Sequence, residues 1–172
     1  MILCAAAIAF ASATVGNAAP ALVVPELDGQ AFDLSAQRGK VVIVNFWATW
    51  CPPCREEMPA LDALYRRSHG NGLEMIGVSM DRPHDRSDVY KVMQSFSYPA
   101  AMLYDAKVND FGSPEVLPVT FVVDRSGVIR AKLTSDQAPV SEKSLTDAVV
   151  PLLPQSPADR PSVNPGGPNA KP

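Results

Sequence analysis

The sequence is poor in the residues from which metal centres and disulfide scaffolds are built, with three cysteines and two histidines among its 172 residues. Three cysteines are too few to staple a small scaffold. A structural zinc site needs four ligands, and Cys4, His69 and His84 stand far apart in the sequence from each other and from the remaining cysteine pair. Charge of one sign is also lacking: fifteen basic and eighteen acidic residues give a net charge of −3 and form no long run. That balance recommends neither a nucleic-acid partner nor an anionic membrane surface. No internal repeat is present, and no lysine or arginine precedes Arg38.

What the chain does have is apolar material, 47% of its residues, enough to bury one ordinary core in a chain of this length. The two ends read differently from the middle. Ile2 to Ala13 is almost wholly apolar yet short for a bilayer span, and small residues around Gly16-Asn17-Ala18 resemble a signal-peptidase site. Residues 1–19 are therefore expected to be a signal peptide or N-terminal anchor, although the basic flank of such segments is missing. Lipid attachment at Cys4 is disfavoured, because Leu3 is a poor substitute for the small residue that lipoprotein processing prefers. Seven of the seventeen prolines fall between Pro151 and Pro172, in otherwise small and polar surroundings, so residues 154–172 are expected to form a disordered tail.

Residues 20–153 are expected to form one α/β domain of alternating strands and helices. Val41 to Trp47 is a β-branched and aromatic run, the pattern of a central strand covered on both faces. A helix from Pro52 to Ser68 comes next, with Met58, Leu61, Leu64 and Tyr65 on its apolar side and Gly70 and Gly72 ending it. The spacing predicts strands over Leu73 to Met80 and Ala100 to Tyr104, a helix over His84 to Ser97 and a brief helix over Lys107 to Phe111. Val119 to Val123 and Val128 to Leu133 read as a hairpin about Asp124-Arg125-Ser126-Gly127, and Val140 to Leu153 as a closing helix whose last turn Pro151 disturbs.

Cys51 and Cys54 stand three residues apart at the start of the first long helix, directly after the buried strand. A helix N-terminus offers unpaired N–H groups and the positive end of the helix dipole, which stabilise a thiolate. Cys51 is expected near the cap and solvent-facing, with Cys54 one turn in and more shielded. Attack by Cys51 on a substrate disulfide gives a mixed disulfide that Cys54 resolves, leaving a Cys51–Cys54 disulfide. Pro52 and Pro53 fit the first helical positions, where an N–H has no intrahelical partner. They also remove two donors, so the Cys51 thiolate should be held less strongly than in an oxidant of similar build, which favours a reductase.

The segment Val44-Asn45-Phe46-Trp47-Ala48-Thr49-Trp50-Cys51-Pro52-Pro53-Cys54-Arg55-Glu56-Glu57-Met58-Pro59, together with Leu117-Pro118-Val119-Thr120-Phe121-Val122-Val123-Asp124, resembles the TlpA and ResA-like branch of the thioredoxin superfamily. These are extracytoplasmic thiol-disulfide reductases and include the CcmG/DsbE-like proteins. The resemblance covers Leu22 to Leu153 and implies a thioredoxin-like fold, a central mixed sheet flanked by helices, with a helix-strand insertion supplied by His84 to Phe111. It implies that Pro118 is a cis-proline beside the cysteines and that Leu117 offers backbone groups to a substrate strand. Asn45 stands where cytoplasmic thioredoxins carry a buried aspartate. The resemblance instead points to Glu57, three residues after Cys54, as a carboxyl for proton transfer, and helical spacing sets it near the Cys54 face. Trp50 is expected to be an exposed aromatic that meets a partner, Trp47 a core residue, and Glu56, His69 and His84 surface residues.

The implied function is an extracytoplasmic reductase, a monomer without metal or cofactor, acting on disulfides of apocytochrome c or of a copper-site precursor. It would be kept reduced by a membrane thiol donor of the DsbD/CcdA type. An oxidase or isomerase on the same fold is the alternative. A copper chaperone of the Sco type has three residues between its cysteines and a distal histidine, where this chain has two residues. A peroxiredoxin would need threonine where Ala48 stands.

Overall fold

A run as rich in β-branched and aromatic residues as Val41 to Trp47 needs neighbours on both edges and cover on both faces, and the rest of the domain supplies them. A computed structural model describes residues 13–155; the apolar stretch before them and most of the expected tail lie outside the described residues. Along the chain come β1 (Leu22–Pro25), β2 (Ala31–Asp33), β3 (Val41–Trp47), α1 (Pro52–Ser68), β4 (Leu73–Ser79), α2 (Arg86–Met93), β5 (Ala100–Met102), β6 (Val108–Asn109), β7 (Val119–Val123), β8 (Ile129–Thr134) and α3 (Glu142–Val149).

The main sheet has the order β5-β4-β3-β7-β8, with β5, β4 and β3 parallel and β7 and β8 antiparallel to their neighbours. All seven residues of β3 are buried. Because strand side chains alternate between faces, β3 serves two cores. Val41, Ile43 and Trp47 pack with Met58, Leu61 and Leu64 of α1 and with Leu145 and Val149 of α3. Val42, Val44 and Phe46 pack with Leu22, Val24 and Phe32 of a second, three-stranded sheet of order β2-β1-β6. The expected insertion contributes α2 and β5, so β5 becomes the edge strand beside β4.

Several boundaries differ from the sequence reading for identifiable reasons. The helix expected over His84 to Ser97 is a 3-10 turn at Pro83–Asp85 leading into α2, which stops at Met93. The N–H groups of Ser95 and Phe96 close short turns onto Val92 and Met93, and the Ser97 N–H is taken by the Asp62 carboxylate of α1 at 2.6 Å. The brief helix expected over Lys107 to Phe111 is not formed: Val108 pairs with Val23 and Asn109 with Leu22, adding β6 to the small sheet. The strand expected to reach Tyr104 ends at Met102, where Leu103–Asp105 forms a 3-10 turn. The closing helix ends at Val149 and continues as a 3-10 turn around Pro151.

Both ends of the described chain are tied to the domain. Gly16 donates to the Ile129 carbonyl, Ile129 to that of Asn17 and Ala19 to that of Gly127, with Ala18 bridged to Val128. Pro154 is buried, its ring against Gly72, whose φ of +85° closes the 3-10 turn His69–Asn71 that follows α1.

The β7–β8 hairpin turns on Asp124, whose carboxylate accepts from Ser126 N–H and O–H at 2.9 and 2.7 Å, from Val128 N–H at 3.0 Å and from the Arg130 guanidinium. Burial pushes this carboxyl up, but the bonds from Ser126, Val128 and Arg130 outweigh it and hold it at about 2. The folded protein therefore releases this proton more readily than the unfolded chain. The contribution is complete above the ordinary aspartate value and is lost as pH falls through about 2. Asp124→Asn is expected to cost about 2 kcal/mol in urea unfolding at pH 7, with the deficit shrinking as pH is lowered below 4. A deficit that stays constant down to pH 2 would contradict this account.

Candidate active site

Strands β3 and β4 are parallel and in register from Val41 opposite Leu73 to Trp47 opposite Ser79, so their C-terminal ends lie at one edge of the sheet. From that edge Ala48, Thr49 and Trp50 lead into α1, with Cys51 as its N-cap residue in extended conformation. Pro52 and Pro53 occupy the first helical positions. With those two donors absent, the first helical N–H within reach belongs to Cys54, and it points at Cys51 Sγ from 3.3 Å. Cys51 and Cys54 are joined by a disulfide, their Cα atoms 5.3 Å apart. No acidic residue occupies the first turn, while Arg66 and Arg67 sit in the last, so the charges of α1 complement its dipole at the C-terminal end and leave the N-terminal end open to an anion.

The expected contrast between a solvent-facing Cys51 and a shielded Cys54 is corrected. Both residues are buried, 4% and 2% exposed. The cause is the loop itself: Trp47 and Ala48 are fully buried in the cluster that holds both cysteines, and Leu117 packs against that cluster from the β7 side. Trp50 points the other way and is 66% exposed.

Glu57 lies one turn beyond Cys54 on α1 and is buried. Its Oε1 accepts the Val140 N–H at 3.2 Å, and its Oε2 has no hydrogen-bond partner among the described residues. Burial raises this carboxyl to about 7, against a smaller opposing effect of the Val140 N–H. Asn45 is buried on β3, where its Nδ2 donates at 2.9 Å to Thr120 Oγ1, the residue paired with it on β7. Pro118 is buried and joined to Leu117 by a cis peptide bond. Val119 pairs with Phe46, which brings Pro118 to the end of β3 from which the cysteine loop departs. Cys51, Cys54, Glu57, Trp50, Leu117 and Pro118 thus gather at one end of the main sheet, whereas His69 and His84 lie elsewhere, beside Tyr65 and Asp85.

One residue of this neighbourhood escaped the sequence reading. Asp81, two residues past β4, is buried and its carboxylate accepts from both the backbone N–H and the hydroxyl of Thr49. The available signal was positional: an acidic residue at the carboxyl end of a buried parallel strand, next to the strand that carries the cysteines.

The sequence profile of the AhpC/TSA family matches residues 15–132. The chain belongs to that family. The thiol-disulfide oxidoreductase ResA of Bacillus cereus is 32% identical over 123 residues, which span 72% of this chain and 71% of ResA. A thiol-disulfide oxidoreductase of Bacteroides vulgatus, of known structure, superposes with a TM-score of 0.67 at 21% identity, covering 81% of this chain and 97% of that one. A secreted thiol-disulfide isomerase of Corynebacterium glutamicum superposes at 0.61 with 25% identity, covering 77% and 83%. This family member is accordingly a thiol-disulfide oxidoreductase with a thioredoxin-like fold that carries a CxxC-spaced disulfide, Cys51–Cys54.

The Glu57 carboxyl keeps its proton to about pH 7 when folded and loses it near 4.5 in the unfolded chain. Between those values the folded state binds the extra proton, so stability falls as pH rises across them. Glu57→Gln removes that dependence. In urea unfolding of the oxidised protein the variant should gain on the parent between pH 4.5 and pH 8, by about 3 kcal/mol at most. A difference that does not change with pH would refute the burial of a protonated carboxyl.

Proposed function

We propose that the protein is an extracytoplasmic reductase of protein disulfides. The observation that carries the reading is the head of α1, where Cys51 caps the helix with one N–H on its sulfur and two prolines in place of further donors. A thiolate held by so few donors gains little from staying reduced, so the dithiol gives up electrons readily. In the reducing direction the Cys51 thiolate attacks one sulfur of the substrate disulfide, and the first substrate thiolate leaves. The Cys54 thiolate then attacks Cys51 Sγ, the second substrate thiolate leaves, and the Cys51–Cys54 disulfide closes with two electrons passed on.

Glu57, whose carboxyl titrates at about 7 one turn from Cys54, is suited in its ionised form to take the Cys54 proton before the second attack. Leu117 and Pro118 are suited to line the substrate chain beside the disulfide, and Trp50 to contact its partner. Apocytochrome c or a copper-site precursor is the proposed substrate, and a membrane thiol donor of the DsbD/CcdA type the source of electrons. The resemblance of the two sequence motifs to the TlpA and ResA-like branch supports both. Export is supported by the apolar N-terminal segment and by the likeness to a secreted isomerase.

Equilibration with glutathione should place the reduction potential well below the value of about −120 mV that marks a strong periplasmic oxidant. A potential near that value would make the protein an oxidase. Cys54→Ser should hold substrates as mixed disulfides on Cys51 in cells, and Glu57→Gln should slow resolution about tenfold or more near pH 7. Absence of adducts would count against a protein-disulfide substrate.

A further inference from the structure

The loop from Ala48 to Trp50 carries the reactive sulfur at one end and an exposed indole at the other, and apolar packing holds little of it beyond Ala48. Thr49 is half-buried and Trp50 exposed. Its restraint comes from the segment that leaves β4. Asp81 Oδ2 accepts the Thr49 N–H at 2.9 Å and the Ser79 O–H at 2.7 Å, and Oδ1 accepts the Thr49 O–H at 2.6 Å. The Asp81 N–H in turn donates to Ser79 Oγ at 3.0 Å. Backbone and side chain of Thr49 are thus held by one buried carboxylate, and the residue can neither slide nor rotate without losing a bond to a charged acceptor. On either side the Met80 N–H donates to the Trp47 carbonyl at 2.8 Å and the Cys51 N–H to the Ala48 carbonyl at 3.2 Å.

We propose that Asp81 is a positioning residue for disulfide exchange, fixing Thr49 and thereby the direction in which Cys51 and Trp50 are presented to a protein substrate. The proposal rests on exchange at the Cys51–Cys54 pair and is independent of its direction and of the partner proposed above. Cys51 is two residues from the clamp, and a sulfur displaced by about 1 Å from the line of attack can cost up to about a hundredfold in rate. Trp50 adjoins Thr49 and borders a groove that continues over Val92 and Phe96, beyond α1. A protein disulfide long enough to lie in that groove reads both effects. A small disulfide reads only the first.

Three variants separate positioning from bulk stability. Asp81→Ala removes every bond to Thr49, and Thr49→Val removes only the hydroxyl bond. Asp81→Asn keeps a carbonyl oxygen for the Thr49 N–H and an amide for its hydroxyl. Reduction of insulin and of 5,5′-dithiobis(2-nitrobenzoate) by each prereduced protein gives kcat/KM for a protein and a small disulfide. Asp81→Ala and Thr49→Val are expected to lose about tenfold on insulin and no more than about threefold on the small disulfide, with Asp81→Asn recovering most of the loss. Should Asp81→Ala fail to fold, Thr49→Val, which leaves the backbone bond in place, decides. The proposal is overturned if the folded variants keep parental kcat/KM on insulin. It is equally overturned if both substrates suffer alike in step with lowered melting temperature and Asp81→Asn brings no recovery.

Discussion

The parallel register of β3 and β4 is the constraint on which the site depends. Because Trp47 lies opposite Ser79, both strands run out at the same level, and the segments leaving them come together. After β3 comes the cysteine loop and α1; after β4 comes Asp81. The antiparallel pairing of Phe46 with Val119 brings Leu117 and Pro118 to the same edge from the other side. The chemistry therefore depends on a strand that contributes no reacting atom, and a slip of one residue in β3 would turn Trp47 and Val44 to the opposite cores and detach the loop from its clamp.

The polar groups held by the fold, at this edge and at the β7–β8 turn on the opposite end of the sheet, are not equivalent. Asp81 and Asp124 have their oxygens filled by donors, which makes each of them a fastener. Glu57 Oε2 and Asn45 Oδ1 are buried without hydrogen-bond partners among the described residues. An unfilled acceptor in an apolar setting raises the free energy of the site, and Glu57 lessens this cost by keeping its proton. Satisfied carboxylates hold the frame, and the unsatisfied one lies beside the cysteines.

Much of this was legible in the sequence because it rests on local periodicity. The unbroken apolar run of β3, the prolines that start α1 and the glycine turn of the β7–β8 hairpin each fix a short segment irrespective of distant partners. The Glu57 environment was legible through helical spacing and the family motif. The features that could not be read depend on contacts across the chain. Val108 and Asn109 form a strand because β1 has a free edge; the Ser97 N–H leaves its helix because Asp62 of α1 is there to accept it. The burial of Cys51 arises from the packing of Ala48 and Leu117, and Asp81 acquires its place only once β3 and β4 are aligned.

The pairing of Gly16 to Ala19 with the start of β8 sets a spatial limit on how much of the N-terminal side the domain can lose without altering its surface. These residues cap the one end of β8 that adjoins the hairpin turn. A chain beginning at residue 20 would bare the amide of Ile129 and the carbonyls of Gly127 and Ile129 on an outer strand, a template for strand addition by a neighbouring molecule. A chain beginning before Gly16 keeps that edge closed. The presence of residues 16–19 would then govern self-association as well as the finish of the sheet edge.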